Sequence, residues 1–131
     1  MLRISTPLSD ELETLVHDTI GCCIAVHREL GPGLLENIYS KAICLELTAA
    51  GIHFERERRY PVMYRGELLC EQCLDFVVGD QLVLEIKSVE QLAALHHAQL
   101  LNYMRVAHLR VGLLMNFNVA VLRDGVRRKV L

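Results

Sequence analysis

Gln81-Leu82-Val83-Leu84-Glu85-Ile86-Lys87-Ser88-Val89 sets a carboxylate and an ammonium two residues apart in an otherwise mostly apolar run. Gly79-Asp80 bounds the run upstream, so it reads as a strand, and side chains at i and i+2 of a strand share a face. Glu85 and Lys87 therefore point the same way. Each is costly to bury unless it pairs or binds something charged, and a metal ion with a phosphate would satisfy both. The competing reading is an edge strand with a solvated Glu-Lys pair, which stabilises little.

The preceding run, Leu74-Asp75-Phe76-Val77-Val78, joins this strand through Gly79-Asp80, a hairpin signal. Carboxylates from adjacent strands make an oxygen-rich site suited to a hard divalent cation. Register decides whether the two acids meet. A two-residue Gly79-Asp80 loop would pair Val78 with Gln81 and set Asp75 opposite Leu84, on the wrong face for Glu85. A three-residue loop, or a bulge, pairs Asp75 with Glu85.

Two further groups add to the pattern. Glu36 opens a helical stretch that runs to about Ala50 and stops at Gly51. A first-turn acid beside the positive helix end is an ordinary preference, so alone it says little. Gln99 and Tyr103, spaced i and i+4 on the helix after the Lys87 strand, share a face that His96 joins. They would equally form that helix's solvent side.

Taken in order, Glu36, Asp75, Glu85-x-Lys87 and Gln99-x-x-x-Tyr103 resemble the PD-(D/E)XK nuclease superfamily, particularly its RecB-like branch. Gly33-x-x-Glu36-x-x-Tyr39 is similar to the signature of the small bacterial GxxExxY proteins. Val62-x-Tyr64-x-Gly66, His97-Ala98-Gln99-Leu100 and Gly112-Leu113-Leu114-Met115-Asn116-Phe117 extend the similarity over roughly residues 10 to 130. Leu74 stands where the superfamily's name has Pro. The resemblance implies Mg²⁺ or Mn²⁺ held by Asp75, Glu85 and the backbone carbonyl of Ile86. It assigns Lys87 to the attacking water or the developing charge, Glu36 to the site edge or a second metal, and Gln99 and Tyr103 to steadying Lys87 or a phosphate. The implied activity is hydrolysis of nucleic-acid phosphodiesters, DNA rather than RNA. The alternative is a catalytically silent binding or assembly module that acts through a protein or nucleic-acid partner.

At 131 residues and 52% hydrophobic content, the chain reads as one nuclease-like domain over residues 1–131. No apolar run is long enough for a membrane span and no secretory leader is evident, so a cytoplasmic location is expected. The formal charge of −2 lacks the basic surplus common in nucleic-acid binders. Phosphate contacts would then fall to local groups, Arg56, Arg58 and Arg59 or Arg123, Arg127, Arg128 and Lys129. A solvated face explains both groups equally well. So small a nuclease has little room for a specificity domain, which leaves a homodimer or a partner protein open. Five cysteines outside a secretory context read as reduced thiols. Cys70 and Cys73 would face opposite sides of a strand, and no second pair completes a four-ligand zinc site.

The expected order is α-α-β-β-β-α-β plus a C-terminal hairpin, an α/β fold with a mixed sheet flanked by helices. Helices are expected from Ser9 to Leu30, from Glu36 to about Ala50 and from about Val89 to Val106. Strands are expected at Phe54 to Arg59, Pro61 to Tyr64, Leu68 to Val78, Leu82 to Val89 and Arg110 to Asn116. The last hairpin would pair Val119 to Leu122 with Val126 to Val130.

Overall fold

The computed structural model describes residues 7–131. Helix α1 (Asp10–Leu30) begins where the Ser9 hydroxyl accepts the Leu12 N–H at 3.2 Å, and acids fill its first turn. It ends at Gly31, whose φ of 68° is a conformation L residues avoid. Leu12, Val16, Cys23 and Val26 form its buried stripe. Helix α2 (Glu36–Ala49) lies against α1 and buries Tyr39, Ile43 and Leu47.

Five strands follow in the spatial order of the sequence: β1 (Phe54–Tyr64), β2 (Glu67–Val78), β3 (Leu82–Lys87), β4 (Val111–Asn116) and β5 (Val126–Val130). Only β3 and β4 run parallel, because helix α3 (Ala94–Ala107) carries the chain back between them. One face of the sheet packs Phe76, Leu84, Ile86 and Leu113 with α1 and α2. The other packs Val77, Val83 and Leu114 with Leu100 and Met104 of α3. The result is the mixed α/β sandwich expected from the sequence.

Three segments differ from expectation. β1 continues through Pro61, which an edge strand tolerates because its outward side needs no ladder donor. Helix α3 starts at Ala94, not Val89. The Asn116 side chain holds Val89 extended by accepting its N–H at 3.1 Å and donating to its carbonyl at 3.0 Å. Val119 to Leu122 is not a strand; the terminal antiparallel pair is β4 with β5, linked through a 3-10 turn at Leu122–Gly125. That turn fits tightly. A Cβ on Gly125 would lie 2.1 Å from the Asn116 carbonyl oxygen, which is backbone and cannot swing aside. Gly125→Ala should therefore cost about 1–3 kcal/mol, read as a lower urea midpoint with unchanged slope.

Candidate active site

The turn between β2 and β3 sets the register. Gly79 and Asp80 both adopt left-handed φ values, 57° and 56°, and Gln81 N–H donates to Val78 O at 3.1 Å as in a tight two-residue turn. Yet pairing resumes at Val78↔Leu82, leaving Gln81 out of the ladder, and continues through Val77↔Val83 and Phe76↔Leu84. The next position in this register puts Asp75 opposite Glu85.

Regular pairing of β2 with β3 stops there, and the acids take over. Asp75 N–H donates to Glu85 Oε1 at 3.0 Å, and Ile86 N–H donates to Asp75 Oδ2 at 2.8 Å. Leu74 and Val77 both pack on the α3 side although they are three apart, so strand alternation breaks between them. The break falls around Asp75, whose β1 neighbour Glu57 has a φ of 55°. Leu74, in the place of the motif's proline, is fully buried in the α3-side core.

Glu85 is buried and Asp75 half-buried, and a side-chain hydrogen bond joins them. Burial, then the Asp75 charge, pushes the Glu85 carboxyl up to about 9. Burial also raises Asp75, against the Ile86 N–H, the Glu85 hydrogen bond and the Lys87 charge. At neutral pH Glu85 therefore favours its protonated form. Lys87 ends β3 and favours the ionised form of both.

Glu36 reaches the same place from α2. Its Oε1 accepts the Ser88 N–H at 3.3 Å, and its charge raises Asp75. The loop before it accounts physically for the Gly33, Glu36 and Tyr39 spacing. Gly33 takes φ 96°, and the Tyr39 hydroxyl accepts the Leu34 N–H at 3.1 Å while donating to Gly31 O at 2.5 Å. The Tyr39 ring stacks on Phe117 with centroids 4.5 Å apart. Ser88 Oγ donates to Leu34 O at 2.6 Å, so the loop and the end of β3 are tied together. Ser88 and Asn116 are the positioning residues that sequence reasoning missed. Ser88 gives no sequence signal at all, and Asn116 enters only within the Gly112 to Phe117 similarity, with no role assigned to it.

From α3, Tyr103 feels the acids: burial raises its hydroxyl first, then the Glu85 and Asp75 charges, then Cys73. Gln99 lies one turn earlier, half-buried, with no side-chain hydrogen bond among the described residues. His96 caps the helix start, its Nδ1 accepting the Ala93 N–H at 3.0 Å. The basic groups are largely engaged elsewhere. Arg58 pairs with Glu55 and Asp80, Arg56 bonds Asn37, and Arg128 holds Glu13 through both oxygens. All five cysteines are free, with Cys70 and Cys73 exposed at separate rungs of β2.

The sequence matches the family model of the PD-(D/E)XK nuclease superfamily over residues 13–129. The chain belongs to this superfamily. No curated protein and no solved structure matches it significantly. PD-(D/E)XK membership supports a nuclease and, with it, a nucleic-acid substrate and divalent-metal chemistry. The donor set fits such an ion: the buried Glu85 and half-buried Asp75 carboxylates supply only hard oxygen ligands, and a cation would offset the burial and the Asp75 charge that raise Glu85. A second group, His53, Glu55 and Asp80, brings ligand atoms within 4.8 Å of one another, but it is exposed, beside the turn at the opposite end of β3. Among the described residues no helix is long and apolar enough to cross a membrane.

Because Glu85 binds its proton more tightly when folded than at its ordinary value of 4.5, the folded state carries the extra proton at intermediate pH. Stability of the metal-free protein should therefore fall as pH rises from about 5 to about 9. A divalent ion held by Glu85 would have to displace that proton, so any rise in Tm from added Mn²⁺ should grow over the same range. Thermal scans of the wild type and of Glu85→Gln check this; the substitution should flatten the decline.

Proposed function

We propose that the chain is a Mg²⁺- or Mn²⁺-dependent phosphodiesterase acting on nucleic acid, DNA rather than RNA, and a GxxExxY protein of the RecB-like branch. The observation that carries the reading is the meeting of Asp75 and Glu85 at the point where β2 leaves β3, with the Lys87 charge acting on both. Asp75, Glu85 and the Ile86 carbonyl would hold the ion, with Glu36 at the edge. When bound, it would polarise the phosphate and make water a better nucleophile at neutral pH.

The chain's own residues do the rest. Lys87 orients or deprotonates the attacking water, or stabilises charge developing on the phosphoryl oxygens. Glu36, fixed by Ser88 and the Tyr39-pinned loop, sets a negative charge beside Asp75 at the edge of the acid pair. Tyr103 and Gln99 offer polar groups from α3 to Lys87 or to a phosphate. We further infer that residues 1–131 act as a single domain in the cytoplasm.

The test is cleavage of single-stranded, duplex and branched DNA and RNA with Mn²⁺, abolished by chelation and restored by added metal. Binding without chelator-sensitive cleavage would instead favour a silent nuclease-fold module.

A further inference from the structure

A cavity of about 590 Å³ opens where α1 ends, a size usual for small-molecule sites. One wall is the last turn of α1 with the Gly31-Pro32 turn, and the other is the segment from Ala120 to Arg123. His27 ties the walls together, its Nε2 donating to the Val119 carbonyl at 2.8 Å. Ile24, Pro32 and Val121 give the cavity apolar surface, while Arg28 stands on one wall and Arg123 on the other. The acid pair lies on the other face of the sheet. Leu84 and Ile86 pack with α1 and α2, so Glu85 between them points to the α3 side, where Tyr103 feels it.

Neither the Arg28 nor the Arg123 guanidinium has an acid, carbonyl or ring partner among the described residues. Arg58 and Arg128, by contrast, are neutralised by Asp80 and Glu13. No described carboxylate lines the cavity either. A cation in the last turn of α1 is an ordinary helix-end preference, so Arg28 alone says little. Arg123 comes from a separate segment and brings a second positive charge to the same cavity. The end of α1 is itself weakly negative, so the two guanidiniums, not the helix, must supply any attraction for an anion. An anion spanning both would also relieve their mutual repulsion.

We propose that this cavity binds a small phosphomonoester of the nucleoside monophosphate type, its phosphate between Arg28 and Arg123 and its flat, part-apolar body against Ile24, Pro32 and Val121. Charge chooses the head group. At neutral pH a phosphomonoester carries about −1.5 to −2, which matches two guanidiniums, where a carboxylate or a phosphodiester brings a single negative charge. Guanidinium forks hold phosphate oxygens in pairs, and their planes also stack on aromatic rings. Apolar surface chooses the body, since inorganic phosphate would leave that surface in water and fill little of the cavity. A ligand held by both arginines braces both walls, and both walls are tied to the end of β3. Tyr39 OH donates to Gly31 O at 2.5 Å, Ser88 Oγ to Leu34 O at 2.6 Å, and Phe117 N–H to Lys87 O at 2.8 Å. This site goes beyond the nuclease reading and does not depend on it.

The test is calorimetry of the full chain with AMP in EDTA, so that no metal at the acids bridges to the phosphate. Saturable binding is expected, and Arg28→Gln and Arg123→Gln should each weaken it about tenfold. Val121→Glu, which sets a negative charge beside the phosphate, should abolish it. All three positions are exposed, so circular dichroism should show the fold retained. Adenosine, inorganic phosphate and 3′,5′-cyclic AMP, the last with a single negative charge, should each bind about tenfold or more weakly than AMP. Amide hydrogen exchange should slow in residues 28–34 and 117–123 when AMP is added, a readout independent of any activity. The proposal is overturned by no saturable binding, by arginine variants that bind as the parent does, or by no change in exchange at those segments. It is overturned as well if cyclic AMP or inorganic phosphate binds as tightly as AMP. Tighter binding of a 5′-phosphorylated oligonucleotide than of AMP would assign the arginines to a strand end and overturn it too. Lys87-dependent cleavage judges the nuclease reading separately, and neither result decides the other.

Discussion

Lys87→Ala should lower Mn²⁺-supported cleavage by roughly 10²- to 10⁴-fold, the range for a positioned acid-base group. Lys87 closes β3 beside the two acids, and its charge favours their ionised forms. Removing it takes away an electrostatic partner of the site and, on the proposed reading, the group that handles the proton of the attacking water. The Lys87 backbone still accepts the Phe117 N–H at 2.8 Å, so β3 and β4 stay joined and the fold should persist. Single-turnover rates on one substrate, alongside thermal scans, separate the two effects. Equal rates for the purified wild type and variant would trace the cleavage to a contaminant or move the chain to the silent-module reading.

Asp75→Asn should abolish Mn²⁺ binding at the acid pair while leaving the protein folded. The amide oxygen of Asn can still accept the Ile86 N–H that Asp75 Oδ2 accepts now, so the hairpin keeps its local bond. What is lost is a charged hard ligand, and with it the reason for a cation to enter. Calorimetry needs one control, because the exposed His53, Glu55 and Asp80 group could also take up an added ion. Heat that survives Asp75→Asn but disappears in His53→Ala belongs to that surface group. Unchanged affinity at the acid pair, with His53→Ala in the background, would sink the assignment.

Much of this arrangement was legible in the sequence because strand chemistry is local. Asp75 and Glu85 stood out as acids in apolar runs on either side of a turn, and alternation alone defined the register they required. Glu36 was harder. Its approach to Ser88 spans 52 positions and depends on the Gly33 and Tyr39 loop geometry, which periodicity does not encode. Asn116 escaped for a similar reason, since its clamp on Val89 is a tertiary contact that overrides the helical tendency of the segment after Lys87. The Val119 to Leu122 segment read as a strand by composition. β5 instead pairs with β4, and the tight approach of Gly125 to Asn116 turns the connection into a 3-10 bend.

Gln81 contributes no chemistry to the acid pair, is exposed, and lies outside the ladder. Yet it is the single odd residue that turns a tight Gly79-Asp80 hairpin into one whose two acids meet. The acid pair is thus indifferent to which side chain position 81 carries and sensitive to the register that the bend sets. Removing one residue there leaves the chain with two ways to close. It can keep Val78 against Leu82 with a shorter turn, or slip by one and exchange the faces of every β3 side chain against β2. Only the second parts the acids, so what sequence drift must preserve at this bend is the register of Val78 on Leu82.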